Sequence, residues 1–117
     1  MEKSSNKLVD ISVAFAVEIL NLVKFLKSQH ETIICNQIGR AGTSIGANNA
    51  EATNAISKAD FKSKSFIALK EARESLYWID LLHRNYYLDE VQYTSIHQDC
   101  EELVKLLMHR CKKMNEG

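Results

Sequence analysis

The sequence contains no proline, and of its four glycines Gly39, Gly42 and Gly46 fall in one short stretch while Gly117 ends the chain. An all-β fold needs turn residues at regular intervals, and almost none are on offer here. Charge of one sign is also missing. Lys plus Arg and Asp plus Glu are 15 each, a net charge of zero, so the bulk basicity of many nucleic-acid-binding domains is absent. The three cysteines, Cys35, Cys100 and Cys111, are odd in number and lack C-x-x-C spacing. They read as reduced thiols in a reducing compartment, with the cytoplasm as the expected location. Met1-Glu2-Lys3 opens no secretory signal pattern, and apolar runs such as Val13 to Val17 are far too short for a membrane span.

What is present is helical periodicity. Leu8, Ile11, Phe15, Ile19, Leu22 and Leu26 recur at steps of three and four, and a second apolar row, Val9, Val13, Ala16, Leu20 and Val23, runs beside them. Two rows are more than one face of a small bundle needs, so the second predicts burial against another subunit. A mostly small row follows in Ile34, Ile38, Ala41, Ile45, Asn48, Ala52 and Ala55. Two more follow in Phe61 to Leu82 and in Tyr93, Ile96, Cys100, Leu103 and Leu107. Ser28 with Glu31 (Thr32 being the rival cap), Ser57 with Asp60, and Asp89 with Gln92 have capping-box spacing. These signals predict one all-α domain over residues 1–117, with helices near 8–27, 32–55, 58–83 and 89–113. Four rods of similar length with short connections pack as an antiparallel up-down-up-down four-helix bundle.

The most informative stretch is Gln37 to Glu51. Its glycines do not make a phosphate loop, because no Gly-Lys-Ser/Thr follows and no strand precedes. At helical spacing, Gln37, Arg40, Ser44, Asn48 and Glu51 form a polar ridge, and Gly42 and Gly46 form a small-xxx-small pair that admits a neighbouring helix. Glu71, Glu74 and Trp78 share a face of the third helix. Two readings follow. In one, Arg40, Ser44, Asn48, Glu51, Glu71 and Glu74 form a structural polar core in which Arg40 is buried and pairs with a carboxylate. Losing a fully buried pair of that kind costs about 3–5 kcal/mol. In the other, the ridge is a binding groove or Glu71 and Glu74 an acid/base pair, although no histidine or nucleophile is spaced to assist. Metal spacing is sparse: Asp80-x-x-His83 and His97-x-x-Cys100 each supply only two ligands. No catalytic residue, metal, cofactor or small-molecule substrate is expected.

Gln37-x-x-Arg40-Ala41-x-x-Ser44-Ile45-x-x-Asn48-x-x-Glu51, followed by Ala72-x-x-Ser75-x-x-x-x-Asp80-x-Leu82, resembles the bacterial four helix bundle protein family. That family is also called the 23S ribosomal RNA intervening-sequence protein family. The resemblance covers essentially the whole chain, and Lys70 to Trp78 is similar to one common subgroup. It implies an up-down bundle assembled as a ring-shaped homopentamer, without enzymatic activity and with a poorly defined role. Relatives are encoded within intervening sequences of ribosomal RNA genes. A structurally similar accessory protein of diversity-generating retroelements binds nucleic acid and a reverse transcriptase. Such relatives are basic, and this chain departs from them in being neutral.

The neutral total conceals polarity. An up-down bundle gathers residues 1–10, 51–64 and 106–117 at one end. That end holds Lys3, Lys7, Lys58, Lys62, Lys64, Arg110, Lys112 and Lys113 against five carboxylates, a charge of +3 that leaves −3 for the remainder. These eight cations are the candidate contacts to RNA or DNA, with Phe61 the one aromatic among them. Otherwise they are solvated helix ends, those on the last helix answering its dipole. The expected partners are therefore further copies of the chain, and RNA, DNA or a nucleic-acid-binding protein at the basic end. The competing reading is a purely structural or protein-interaction assembly.

Overall fold

The structure is a computed structural model and describes residues 3–116, with side chains described from 7 to 115. Four helices follow one another: α1 (Lys3–Ser28), α2 (Ile33–Thr53), α3 (Lys58–Arg84) and α4 (Glu90–Glu116), with no strand among the described residues. Each helix packs on its neighbours in sequence, and α1 returns to α4 to close the array. The result is an antiparallel four-helix bundle of 45 × 22 × 20 Å. The α2–α3 contact is the most extensive and the α1–α4 contact the slightest. α1 starts well before the expected residue 8 because Lys3 to Lys7 is polar throughout, so periodicity carries no signal there.

Local chemistry sets the ends. Ser57 Oγ accepts the Asp60 N–H at 3.0 Å, and the Asp60 carboxylate reaches back to the Ile56 N–H at 3.2 Å. Asp89 and Gln92 cap each other reciprocally, at 2.8 and 3.0 Å. The expected Ser28–Glu31 box does not form. Ser28 is the last residue of α1 and donates to its own helix, to the Phe25 carbonyl at 2.6 Å. Glu31 instead accepts the Cys35 N–H of α2 at 2.7 Å. α1 and α3 both end in a residue of left-handed backbone, His30 at φ 59° and Tyr86 at φ 65°. In each case the next N–H reaches back to complete a Schellman turn: Glu31 to the Leu26 carbonyl at 3.0 Å, Tyr87 to that of Leu82 at 2.9 Å. Glycine usually occupies that position, so these two turns close with the residue least expected to mark them.

The core follows the periodic rows. Phe15, Ile19 and Leu26 of α1, Ile38 and Ile45 of α2, Ile79 and Leu82 of α3, and Leu103 and Leu107 of α4 are all fully buried. Between α2 and α3 the buried residues are mostly small (Ala41, Ala52, Ala68, Ala72, Ser65 and Ser75), which lets those two axes approach. On α2 the buried polar residue is Asn49, 1% exposed, and not Asn48 as the sequence row had it. The helix advances from Ile45 by four residues to the core position, and the sequence offers the same side chain at both candidates. The second apolar row of α1 divides. Val9, Ala16 and Val23 are half-buried within the bundle, whereas Val13 and Leu20, together with Val17, are 50–56% exposed.

The two glycines of the small-xxx-small pair are not equivalent. A Cβ on Gly42 would lie 2.6 Å from Cγ1 of the fully buried Ile19, whereas one on Gly46 would meet nothing nearer than 3.5 Å. Gly42→Ala should therefore lose stability, by about 1–2 kcal/mol after its gain in helix propensity. Gly46→Ala should gain about 0.5–1 kcal/mol. Chemical denaturation of the two variants side by side checks the opposite signs.

Candidate functional site

Arg40 of α2 reaches across to α3. Its Nη1 donates to Glu71 Oε2 at 3.0 Å and its Nη2 to Glu74, and Glu74 also accepts the Trp78 indole N–H at 3.0 Å. The Arg40 side chain is nevertheless 50% exposed, while that of Glu71 is only 10% exposed. The buried arginine expected from the sequence is thus corrected. The side chain stays half-exposed while its guanidinium meets the two carboxylates. Ser44 and Asn48 do not join this cluster. Ser44 Oγ donates to the Arg40 carbonyl at 2.6 Å and Asn48 Nδ2 to the Ser44 carbonyl at 2.9 Å, both within α2. Glu51, two turns beyond Ser44, pairs with Lys64 at 3.1 Å. Of the six residues expected to form one network, Arg40, Glu71 and Glu74 meet and the other three do not.

Both carboxylates of that trio pair with one guanidinium through their Oε2 atoms, an arrangement that ties α2 to α3. The thiols are unsuited to attack: all three cysteines are buried, and burial pushes Cys100 up to about 12. Cys100 instead donates to the Ala72 carbonyl at 3.3 Å, which removes it from His97 as a second ligand. His97 pairs with Glu101 at 3.1 Å and lies 3.7 Å from Asp80, which also accepts the Tyr93 hydroxyl at 2.8 Å. His83 stacks on Tyr93 and meets Glu90 at 2.6 Å. The contacts of His83 and Asp80 with Glu90, Tyr93 and His97 fasten α3 to α4, whereas His97–Glu101 lies within α4. Among the described residues no three His, Cys, Asp or Glu side chains converge as metal ligands.

The sequence reading passed over Glu18, which faces Asp99 where α1 meets α4 and lines a cavity of about 320 Å³ with Asn21, Phe25 and Gln92. Desolvation, then the hydrogen bond and charge of Asp99, push its carboxyl from 4.5 up to about 7. Nothing in the periodic pattern marks it, because it lies on the flank of a helix whose signal is apolar.

The basic end assembles as the topology requires. Lys64 of α3 meets Glu51 of α2, Arg110 of α4 donates to Asn49 Oδ1 at 2.8 Å, and Lys7 of α1 lies 4.0 Å from Glu102 of α4. The eight candidate cations then divide. Lys7 and Lys64 have carboxylate partners, and Arg110 is half-buried with its guanidinium 5.1 Å from the Phe61 ring centre. Lys58, Lys62, Lys112 and Lys113 are exposed. The Lys3 side chain lies outside the described residues.

Two outcomes test this account of the polar groups. Arg40→Ala should cost about 1–3 kcal/mol, less than a fully buried pair, and adding Glu71→Gln should recover part of that loss by removing the stranded charge. Denaturant midpoints of the single and double variants measure both. Glu18 holds its proton more tightly when folded, so its environment is unpenalised below about pH 4.5 and loses stability as the pH rises through about 7. Glu18→Gln should therefore raise the melting temperature near pH 8 and leave it unchanged near pH 4.

Known proteins carry the same architecture. The sequence profile of a family described as 23S rRNA-intervening sequence protein matches residues 4–109. No curated protein matches the chain. A crystal structure from Bacteroides thetaiotaomicron, described as a protein with unknown function from the S23 ribosomal protein family, is 50% identical to it. That match covers 93% of this chain and 98% of the other, with a TM-score of 0.90. Neither description carries a catalytic activity. With the matched residues running from the first turn of α1 nearly to the end of α4, this chain belongs to the 23S rRNA-intervening sequence protein family.

Proposed function

We propose that the chain is a non-enzymatic, homo-oligomeric scaffold that engages nucleic acid through the basic end of its bundle. The observation that carries this reading is the charge polarity: +3 at one end and −3 over the rest of a neutral chain. Four exposed lysines, Lys58, Lys62, Lys112 and Lys113, crowd that end, where two of the neighbouring carboxylates are already engaged, Glu51 by Lys64 and Asp60 by a helix cap. Assembly is supported by Val13, Val17 and Leu20, which at steps of four and three make an apolar stripe left half-exposed by the bundle. A cyclic assembly, such as the ring-shaped pentamer of the family resemblance, sets every basic end on one side and adds their fields without changing the net charge. The absence of catalysis is supported by the commitment of Glu71 and Glu74 to Arg40 and by the burial of all three thiols. Reduced thiols and the lack of a helix long and apolar enough to cross a membrane among the described residues fit a cytoplasmic protein.

Binding of RNA, followed by fluorescence anisotropy at rising salt, should weaken steeply, since each phosphate neutralised releases counterions. Reversing Lys58, Lys62 and Lys112 to Glu should abolish it, whereas reversing Lys24 and Lys27 at the opposite end should not. Equal loss from both sets overturns the basic-end reading, and no binding by the wild type leaves the purely structural assembly. Sedimentation equilibrium should find an oligomer at tens of micromolar, on the order of a moderately tight contact. Val17→Glu should yield monomers, and a monomeric wild type overturns the assembly.

A further inference from the structure

At the basic end, the turn between α2 and α3 and the last turns of α4 enclose a cleft of about 460 Å³, lined by Ala52, Ala55, Ile56, Lys58, Phe61 and Arg110. Its chemistry is divided. Ala52, Ala55 and Ile56 make apolar wall, and Ile56 is 94% exposed, an isoleucine on a turn with nothing over it. Arg110 and Lys58 make the cationic part.

Arg110 is the unusual member. Burial lowers its pKa, yet no carboxylate of the described residues lies within ion-pair distance. Its partners are neutral: Asn49 Oδ1 at 2.8 Å and the face of Phe61 at 5.1 Å. Arg110 is thus a half-buried guanidinium met only by neutral groups, an environment that favours an anion beside it. The nearby carboxylates do not supply one, because Glu51 is held by Lys64 at 3.1 Å and Asp60 by the Ile56 N–H at 3.2 Å. Lys58 adds its ammonium at the positive end of the α3 dipole. On its other side Phe61 borders a second hollow, of about 340 Å³, with Lys62 and Met114. One aromatic ring thus stands between two cation-bearing hollows.

We propose that this cleft receives a single unpaired nucleotide of an RNA strand, its base against Ile56 and the part of the Phe61 ring that Arg110 leaves uncovered, and its phosphate on Arg110 and Lys58. The proposal rests on the basic-end reading above and adds to it the form of nucleic acid bound. An inorganic anion would satisfy Arg110 but leave the apolar wall uncovered. A paired base is stacked on both faces and cannot present one to Phe61, whereas an unpaired base can, and it carries the phosphate with it.

A short oligoribonucleotide, single-stranded or annealed to its complement, distinguishes the cleft from the surrounding charge. At equal salt the intact protein should bind the single strand about tenfold more tightly than the duplex, the scale of one stacked base. Phe61→Leu should erase that preference and leave duplex binding unchanged. Arg110→Lys, which keeps the charge and loses the planar group, should reduce the preference in the same direction, and it serves if the Phe61 variant does not fold. Equal binding of both forms by the wild type, or a preference that survives both substitutions, overturns the cleft. If the triple charge reversal at Lys58, Lys62 and Lys112 still abolishes binding in that case, the basic-end reading stands alone. No binding of either form overturns both.

Discussion

The bundle depends on how closely α2 can approach its two neighbours. On one side Ile19 of α1 occupies the space where Gly42 would carry a Cβ, 2.6 Å from it. On the other, Ala41 and Ala52 of α2 face a third helix whose own buried residues include Ala68, Ala72 and Ser75. Dispersion falls off steeply with separation, so the few tenths of an ångström gained at each small residue are felt along the whole contact. The loss of helix propensity at Gly42 is offset in that packing. The same closeness explains the polar rim. Because α2 and α3 lie close together, an arginine of one can reach two carboxylates on the other while its side chain stays half-exposed. Where the approach is slack, between α1 and α4, the molecule keeps a cavity and a carboxyl held at about 7.

Much of this was legible in the sequence, for a reason visible in particular residues. Steps of three and four through Phe15, Ile19, Leu22 and Leu26 admit one secondary structure, and Ser57–Asp60 and Asp89–Gln92 carry their caps in both members. What escaped was whatever depends on rotation about a helix axis or on depth. Asn48 and Asn49 are chemically identical, so only the angle of α2 decides which is buried. Arg40 was expected to pair with Glu71, Glu74 or Glu51 and meets the first two, but a long side chain can reach a partner from a core position or from a rim, and the pattern of residues is the same for both. Ser28–Glu31 had the spacing of a cap and lacked the circumstance, because α1 was still in progress at Ser28. The left-handed backbone of His30 and Tyr86 escaped because neither turn carries the glycine that usually marks it.

Arg110 shows how a site differs from a composition. By charge it was one of eight cations at an end. By structure it is a half-buried guanidinium whose company is an amide and a phenyl ring, while Lys64 and Lys7 beside it have found carboxylates. The cations that share an end therefore do not share an environment. Those on the surface contribute a field that acts at the Debye length and fades with salt. Arg110 and Lys58 line a cleft, where a contact is made or missed by geometry.

In the proposed ring, the sorting of charge along the bundle would matter more than the net charge. A ring of identical subunits requires two different faces that fit each other, since a face that fits only itself closes a dimer. The α1 stripe of Val13, Val17 and Leu20 is one apolar face, and α3 offers Phe66 and Tyr77, 37% and 56% exposed and eleven residues apart on one side of that helix. A contact between two such stripes, each running along a helix, sets neighbouring bundles side by side with their long axes roughly aligned. Cyclic repetition in the proposed ring would bring every α2–α3 turn to one side, so that clefts and lysines would recur around a circle. A strand following that circle would meet the same pocket at each subunit, and each engagement would raise the local concentration of the strand for the next. Affinity on such a surface comes from repetition, and a chain with no net charge can have it provided that its charge is sorted end from end and its apolar stripe keeps the ends together.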